Sequence, residues 1–351
     1  MHRMFLLKGF KVVAVLSILL MFNNSSWGQI QKVNIGEKTL NFYDGSRNRP
    51  VTTEIWYPTN DSLKASDKKY SPFIRGYTVR DATPRAGIYP LIMISHGSGG
   101  GRLTLEWIAQ DLVKNGYIVA AVDHWGNTFD NPVAAEFVKP WVRPPDISFA
   151  LTEILKSNEF SKFIDPEAIG ALGYSFGGYT VIALAGAVVD YDRLIEYFTT
   201  VGKKEAATPQ FPELWKLLTE ESFLEETKKI PPLKDRRIKA FFSICPGTGP
   251  GFYSKEQFKN VQGKDVFIVG TAGDSIAPVE GYARNYHRLI SGSGYYEFPG
   301  KVGHYIMLNE AKEELKNEEP QAFIDDPTVD RGEVHSKVME LAVDFFNKRL
   351  K

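Results

Sequence analysis

The stretch Gly173-Tyr174-Ser175-Phe176-Gly177-Gly178 follows an apolar run over residues 169–172 and leads into a small-residue segment over 178–187. The apolar run reads as a buried strand and the segment after it as a helix, so strand must become helix within a few residues. Such a turn forces its central residue into a strained conformation, and bulky neighbours would clash there, which is why glycines flank it. A serine at its centre is carried out at the top of a sheet with its hydroxyl free. Ser175 is therefore a candidate nucleophile.

The rest of the chain supplies the sheet. Residues 40–43 and 51–57 read as paired strands around Asp44-Gly45-Ser46, with Pro58 ending the second. The apolar run 91–95 precedes the glycine-rich His96-Gly97-Ser98-Gly99-Gly100-Gly101, and Leu105, Ile108 and Leu112 then recur at helical spacing up to Gly116. A buried strand over 117–122 follows. Asp146 is expected to cap a helix whose Ile147, Ala150, Leu151, Ile154 and Leu155 form one stripe. Further strands read over 238–244, 265–269 and 295–298, with helices over 282–289 and 334–350. Strands that are apolar throughout and alternate with helices predict an α/β fold, a mostly parallel central sheet with helices on both faces. Residues 29–351 read as one domain. Residues 187–233 interrupt the alternation with helical-looking sequence, either a cap over Ser175 or ordinary core packing; as a cap, its Phe211 and Trp215 would limit acyl length.

Composition narrows the partners. Lysine plus arginine equals aspartate plus glutamate at 42 each, so no net field draws the chain to nucleic acid or to an anionic membrane. A small, mostly uncharged substrate is expected. At the N-terminus, His2, Arg3, Lys8 and Lys11 precede an apolar stretch over 12–22 and small residues around Ser26-Trp27-Gly28. Residues 1–28 read as a secretory signal, implying an exported protein; an uncleaved anchor is the alternative. Cys245 is the only cysteine, so no internal disulfide forms, and it reads as a small buried hydrophobe beside Ile244 and Pro246. The histidines are scattered singly, without H-E-x-x-H or cysteine pairs. No metal or cofactor is expected.

In a parallel sheet, functional groups collect beyond the carboxyl ends of the strands. Ser175 follows one such end, Asp274 follows strand 265–269 within Gly270-Thr271-Ala272-Gly273-Asp274-Ser275, and His304 follows strand 295–298 within Gly300-Lys301-Val302-Gly303-His304. The order Ser, Asp, His is that of a serine hydrolase on this kind of sheet. A neutral serine is a weak nucleophile, so His304 would take its proton and Asp274 would orient the imidazole. The anion formed on the attacked carbonyl needs donors: the amide of Phe176 is one, and the glycine-rich loop supplies the other, with Ser98 the first choice and Gly99 the second. That loop lacks the lysine and Ser/Thr of a phosphate loop. His96 is expected to order it. His96, Gly97, Gly99, His124 and Trp125 are candidates to line the pocket, while His287 and His335 read as surface or packing residues.

Several segments resemble the α/β-hydrolase superfamily, and within it the group similar to platelet-activating factor acetylhydrolases and predicted dienelactone hydrolases. They are Glu54-Ile55-Trp56-Tyr57-Pro58, His96-Gly97-Ser98-Gly99-Gly100, Asp123-His124-Trp125-Gly126-Asn127-Thr128 and Arg143-Pro144-Pro145-Asp146-Ile147-Ser148. The resemblance implies ester hydrolysis through an acyl-enzyme, with Ser175, Asp274 and His304 at the triad positions. Dienelactone hydrolases use cysteine where this chain has Ser175, which weakens dienelactone as a substrate. The group often has histidine where this chain has Tyr174, a change expected to alter packing behind the serine and not the chemistry. The leading expectation is an exported serine esterase acting on short acyl esters, including the acetyl group of an ether phospholipid. A peptidase or acyltransferase on the same fold is the alternative, since fold does not decide function. A catalytically silent binding protein fits less well, because all three triad residues are present.

Overall fold

The computed structural model describes residues 34–208 and 210–351. The expected signal segment, 1–28, lies outside the described residues. Strands β1 (Asn34–Asp44), β2 (Arg49–Thr59), β3 (Val79–Arg80), β4 (Tyr89–Ser95), β5 (Ile118–Val122), β6 (Ile164–Tyr174), β7 (Ala240–Ile244), β8 (Val266–Thr271) and β9 (Gly294–Phe298) form one sheet. Their order is β3-β1-β2-β5-β4-β6-β7-β8-β9. β2 pairs antiparallel with both β1 and β5, and every pairing from β5 across to β9 is parallel.

The two-residue period of the strands sorts their side chains onto two faces. From β4, Leu91 and Met93 enter one core while Ile92 and Ile94 enter the other. The first core is covered by the helices Arg143–Lys156, Phe176–Ala185 and Ala283–Leu289, through residues such as Ile147, Leu151, Ile182 and Tyr286. The second is covered by the helices Glu106–Lys114 and Arg331–Leu350, through Ile108, Leu112, Val338 and Phe346. Both faces buried is the arrangement that continuous apolar strands require. No described helix is long and apolar enough to cross a membrane.

Two local expectations change. Pro58 does not end the second strand but pairs with Ile35 inside it. It is tolerated because the ladder to β5 spans only Thr53 to Trp56 and Pro58 lies beyond it. Asp146 is not a cap: the helix already begins at Arg143, with prolines in its first turn, and Asp146 is fully buried within it. Residues 187–233 fold as a helix (Tyr191–Thr199), a 3-10 turn (Leu214–Thr219) and a second helix (Glu221–Thr227). Leu218 and Phe223 from this insertion build a small separate core with Trp141, against the segment that leads into the Arg143–Lys156 helix.

Candidate active site

Ser175 stands between β6 and the helix Phe176–Ala185 with φ 56° and ψ −118°. A conformation this sparsely populated costs about 1–3 kcal/mol and persists only where its surroundings impose it. They do so through the main chain: the Ser175 amide donates to the Ile244 carbonyl at 2.8 Å, and the Ser175 carbonyl accepts from Gly247 at 2.8 Å. The flanking glycines are required by space. A methyl on Gly173 would stand 2.0 Å from the Gly177 carbonyl oxygen, and one on Gly177 would stand 1.9 Å from that of Ser95.

The hydroxyl of Ser175 lies 2.9 Å from His304 Nε2, and His304 Nδ1 lies 2.6 Å from Asp274 Oδ2. The other oxygen of Asp274 accepts from the amides of Ile276 and Ala277 at 2.9 and 2.7 Å, which holds the carboxylate in place. Asp274 and His304 are both buried. Their loops are laced together, since Ala272 donates to the Phe298 carbonyl at 2.9 Å and Gly273 to that of Val302 at 3.0 Å. A side chain on Gly273 would run into the Lys301 backbone at 2.7 Å. The Tyr174 hydroxyl donates to the His304 carbonyl at 3.0 Å, so the residue beside the serine also anchors the histidine loop. Cys245 is buried as expected, and it lies behind Asp274, with ligating atoms of Cys245, Asp274 and His304 within 4.8 Å of one another. Burial and then the Asp274 charge push its thiol well above the ordinary range.

The glycine-rich loop after β4 is held from several sides. His96 Nε2 accepts from the His124 amide at 3.2 Å, so its proton sits on Nδ1 and is donated to the Gly97 carbonyl at 2.6 Å. Burial and the nearby Arg143 charge keep this imidazole neutral, well below its usual pKa. The Asn127 side-chain oxygen accepts from the Gly99 amide at 2.9 Å, while the Gly100 amide donates to the Gly97 carbonyl at 3.2 Å and that of Gly101 to Thr104 Oγ1 at 2.8 Å. Gly99, the second choice as an oxyanion donor, is thus already engaged. Ser98 beside it is exposed, and the Phe176 amide heads its helix, where the first N–H groups have no intrahelical acceptor.

The pocket candidates divide. Gly97 adjoins the serine, since a methyl on it would lie 3.3 Å from Ser175 Cβ, and Gly99 is partly exposed beside Phe137. His96 and His124 line no open space: they are 2% and 0% exposed. His124 instead bridges Ser95 Oγ and Asp146 Oδ2, both at 2.9 Å, and Asp146 accepts from Arg47 and Arg49 at 2.8 Å. Its place just past the end of β5 made His124 resemble a pocket residue, whereas the buried Asp146 opposite claims its ring. Trp125 is exposed, with the Arg49 guanidinium 5.6 Å from its ring centre. His287 stacks on Tyr295 and His335 on Trp107. Sequence reasoning missed Asn127 and Arg143. A signal for Arg143 existed, because it falls one turn before Ile147 on the same buried stripe.

A parallel sheet with a strained serine turn after β6, and aspartate and histidine loops after β8 and β9, is the α/β-hydrolase fold. Residues 43–134 match the family model of platelet-activating factor acetylhydrolase, isoform II. This stretch holds β4, β5 and the glycine-rich loop, and ends before Ser175. A probable 1-alkyl-2-acetylglycerophosphocholine esterase of Arthroderma benhamiae is 30% identical over 126 residues, which cover 31% of this chain and 30% of that protein. The chain thus matches less than a third of that relative's length. A ferulic acid esterase from Streptomyces cinnamoneus is similar in structure, with a TM-score of 0.60 over 91% of each chain at 18% identity.

Proposed function

We propose that the protein is a serine esterase that cleaves short acyl esters through an acyl-enzyme on Ser175. The observation that carries this reading is the unbroken line from Ser175 Oγ to His304 Nε2 at 2.9 Å and from His304 Nδ1 to Asp274 Oδ2 at 2.6 Å. His304 takes the serine proton as Oγ attacks the ester carbonyl and returns it to the departing alcohol. Asp274 keeps the Nδ1 proton in place, so that Nε2 is the basic nitrogen, and stabilises the imidazolium. The anion on the former carbonyl oxygen is met by the amides of Ser98 and Phe176; one such donor is worth about 3–4 kcal/mol of transition-state stabilisation. Water then attacks the acyl-enzyme by the same route.

The likeness to a 1-alkyl-2-acetylglycerophosphocholine esterase supports an acetyl ester, including that of an ether phospholipid, as substrate. Residues 1–28 serve in this reading as an export signal, and residues 29–351 as one hydrolase domain with 187–233 as its cap. A fluorophosphonate probe should label Ser175, and Ser175→Ala should abolish both labelling and acetyl ester turnover, while His287→Ala keeps both. An adduct mapped by mass spectrometry to another residue would overturn the assignment. Peptide cleavage without ester cleavage in the wild type would favour a peptidase.

A further inference from the structure

Arg143 is a cation without contact to solvent. Its side chain is fully buried, Nη2 donates to the His96 carbonyl, and the guanidinium carbon lies 4.6 Å from the centre of the Phe176 ring. Nε and Nη1 have no hydrogen-bond acceptor among the described residues. Burial pushes its pKa down to about 9 against the pull of Asp146, which still leaves it charged at neutral pH. A buried cation short of acceptors is costly to fold around, and an apolar side chain of like length would fill the same space. Packing alone does not account for it.

Its two contacts reach both sides of the serine. On the loop side it fixes the His96 carbonyl, and the His96 ring in turn fixes the Gly97 carbonyl at 2.6 Å. In a planar trans peptide the Gly97 C=O and the Ser98 N–H point in opposite directions, so fixing one aims the other. On the helix side the guanidinium lies over Phe176, whose amide is the second donor. We propose that Arg143 is a positioning residue of the oxyanion hole, clamping the His96–Ser98 segment to Phe176 and adding positive potential behind both amides. As the carbonyl oxygen gains charge, donors held in advance need no reorganisation. This rests on the esterase reading above.

The test uses the full chain with Arg143→Met and Arg143→Lys, assayed on a soluble acetyl ester and with a fluorophosphonate. Arg143→Met should lower kcat by about 10²-fold while KM stays within about threefold, the pattern of an interaction made in the transition state. Phosphonylation of Ser175 should slow in parallel, because it also places an oxygen in the hole. Arg143→Lys keeps the charge but loses the planar fork, and should lower kcat by about three- to tenfold at unchanged KM. Unchanged kcat in Arg143→Met, or a rise in KM alone, overturns the proposal. If Arg143→Met lacks a cooperative unfolding transition, Arg143→Lys decides: reduced kcat at unchanged KM supports the clamp, and wild-type kcat overturns it. Failure of the esterase reading is distinguishable, since the wild type itself would then not turn over the ester, and the clamp as proposed would fall with it.

Discussion

Tyr174 joins three parts of the site through one side chain. Its hydroxyl holds the His304 carbonyl at 3.0 Å, its ring packs 5.0 Å from the His304 ring, and a methyl on Gly97 would come within 3.1 Å of it. Tyr174 thus ties the strand that ends at the serine to the loop that carries the histidine. Tyr174→Phe keeps the ring and leaves a buried carbonyl unpaired, which costs about 1–3 kcal/mol. Urea unfolding should show a lower midpoint with an unchanged slope, and ester turnover should fall as the base loses its anchor. A wild-type midpoint and rate would show that the bond contributes nothing.

Among the elements, the insertion over 187–233 is the one that the proposed reading makes a cap. The helix Tyr191–Thr199 starts at Asp190, whose side chain accepts from the Arg193 amide at 3.0 Å, and Tyr197 and Tyr282 both bond to Glu205, tying the insertion to the segment before the Ala283–Leu289 helix. Its two candidate pocket aromatics have different surroundings. Phe211 meets Phe137 edge-to-face at 5.2 Å, and Phe137 is the ring that a methyl on Gly99 would touch at 3.7 Å. Trp215 instead lies partly exposed beneath the ammonium groups of Lys203 and Lys216, at 4.1 and 5.8 Å from its ring. Each methylene seated in an apolar pocket gains about 0.8 kcal/mol until the pocket ends. Phe211→Ala should thus move the kcat/KM optimum towards longer acyl chains, and Trp215→Ala should leave it in place. An identical chain-length profile in Phe211→Ala, with folding intact, would assign the acyl pocket to other loops.

For the molecule as a whole, buried titratable groups set the response to acid. Burial holds His96 and His124 well below their usual pKa and His335 at about 4, against 6.5 for a free imidazole. Below pH 6.5 the unfolded chain takes up protons that the folded protein refuses, so the stability these groups contribute is present above 6.5 and lost as pH falls below it, for His335 down to about 4. Glu37 acts in the opposite direction. Burial raises its carboxyl from 4.5 to about 7, so its cost is full above pH 7 and relieved on acidification. Burial also raises the carboxyls of Glu106, Asp123 and Asp146, so on acidification three histidines lower Tm against four carboxyls that raise it. Glu37→Gln removes one of the opposing contributions and should make Tm drop more between pH 7 and 5 than in the wild type, whereas His335→Gln should make it drop less. Parallel Tm curves for both variants and the wild type would show that neither group is linked to folding.

Much of this architecture was legible along the chain, because strands, helices and the serine turn are specified by residues near one another. A period of two or of 3.6 identifies the element and its buried face, and steric demand at Gly173 and Gly177 marks the turn that carries Ser175. The order of the chemical groups after β6, β8 and β9 follows from the same local patterns. What lies opposite each buried face does not. Arg143 reaches His96 across 47 positions, His124 meets Asp146 across 22, and Tyr174 meets the His304 carbonyl across 130. Those meetings depend on strand order in the sheet and on which helix covers which face. Periodicity is silent on both, so the supports behind the oxyanion loop and the placing of Phe211 and Trp215 were decided only when the chain closed on itself.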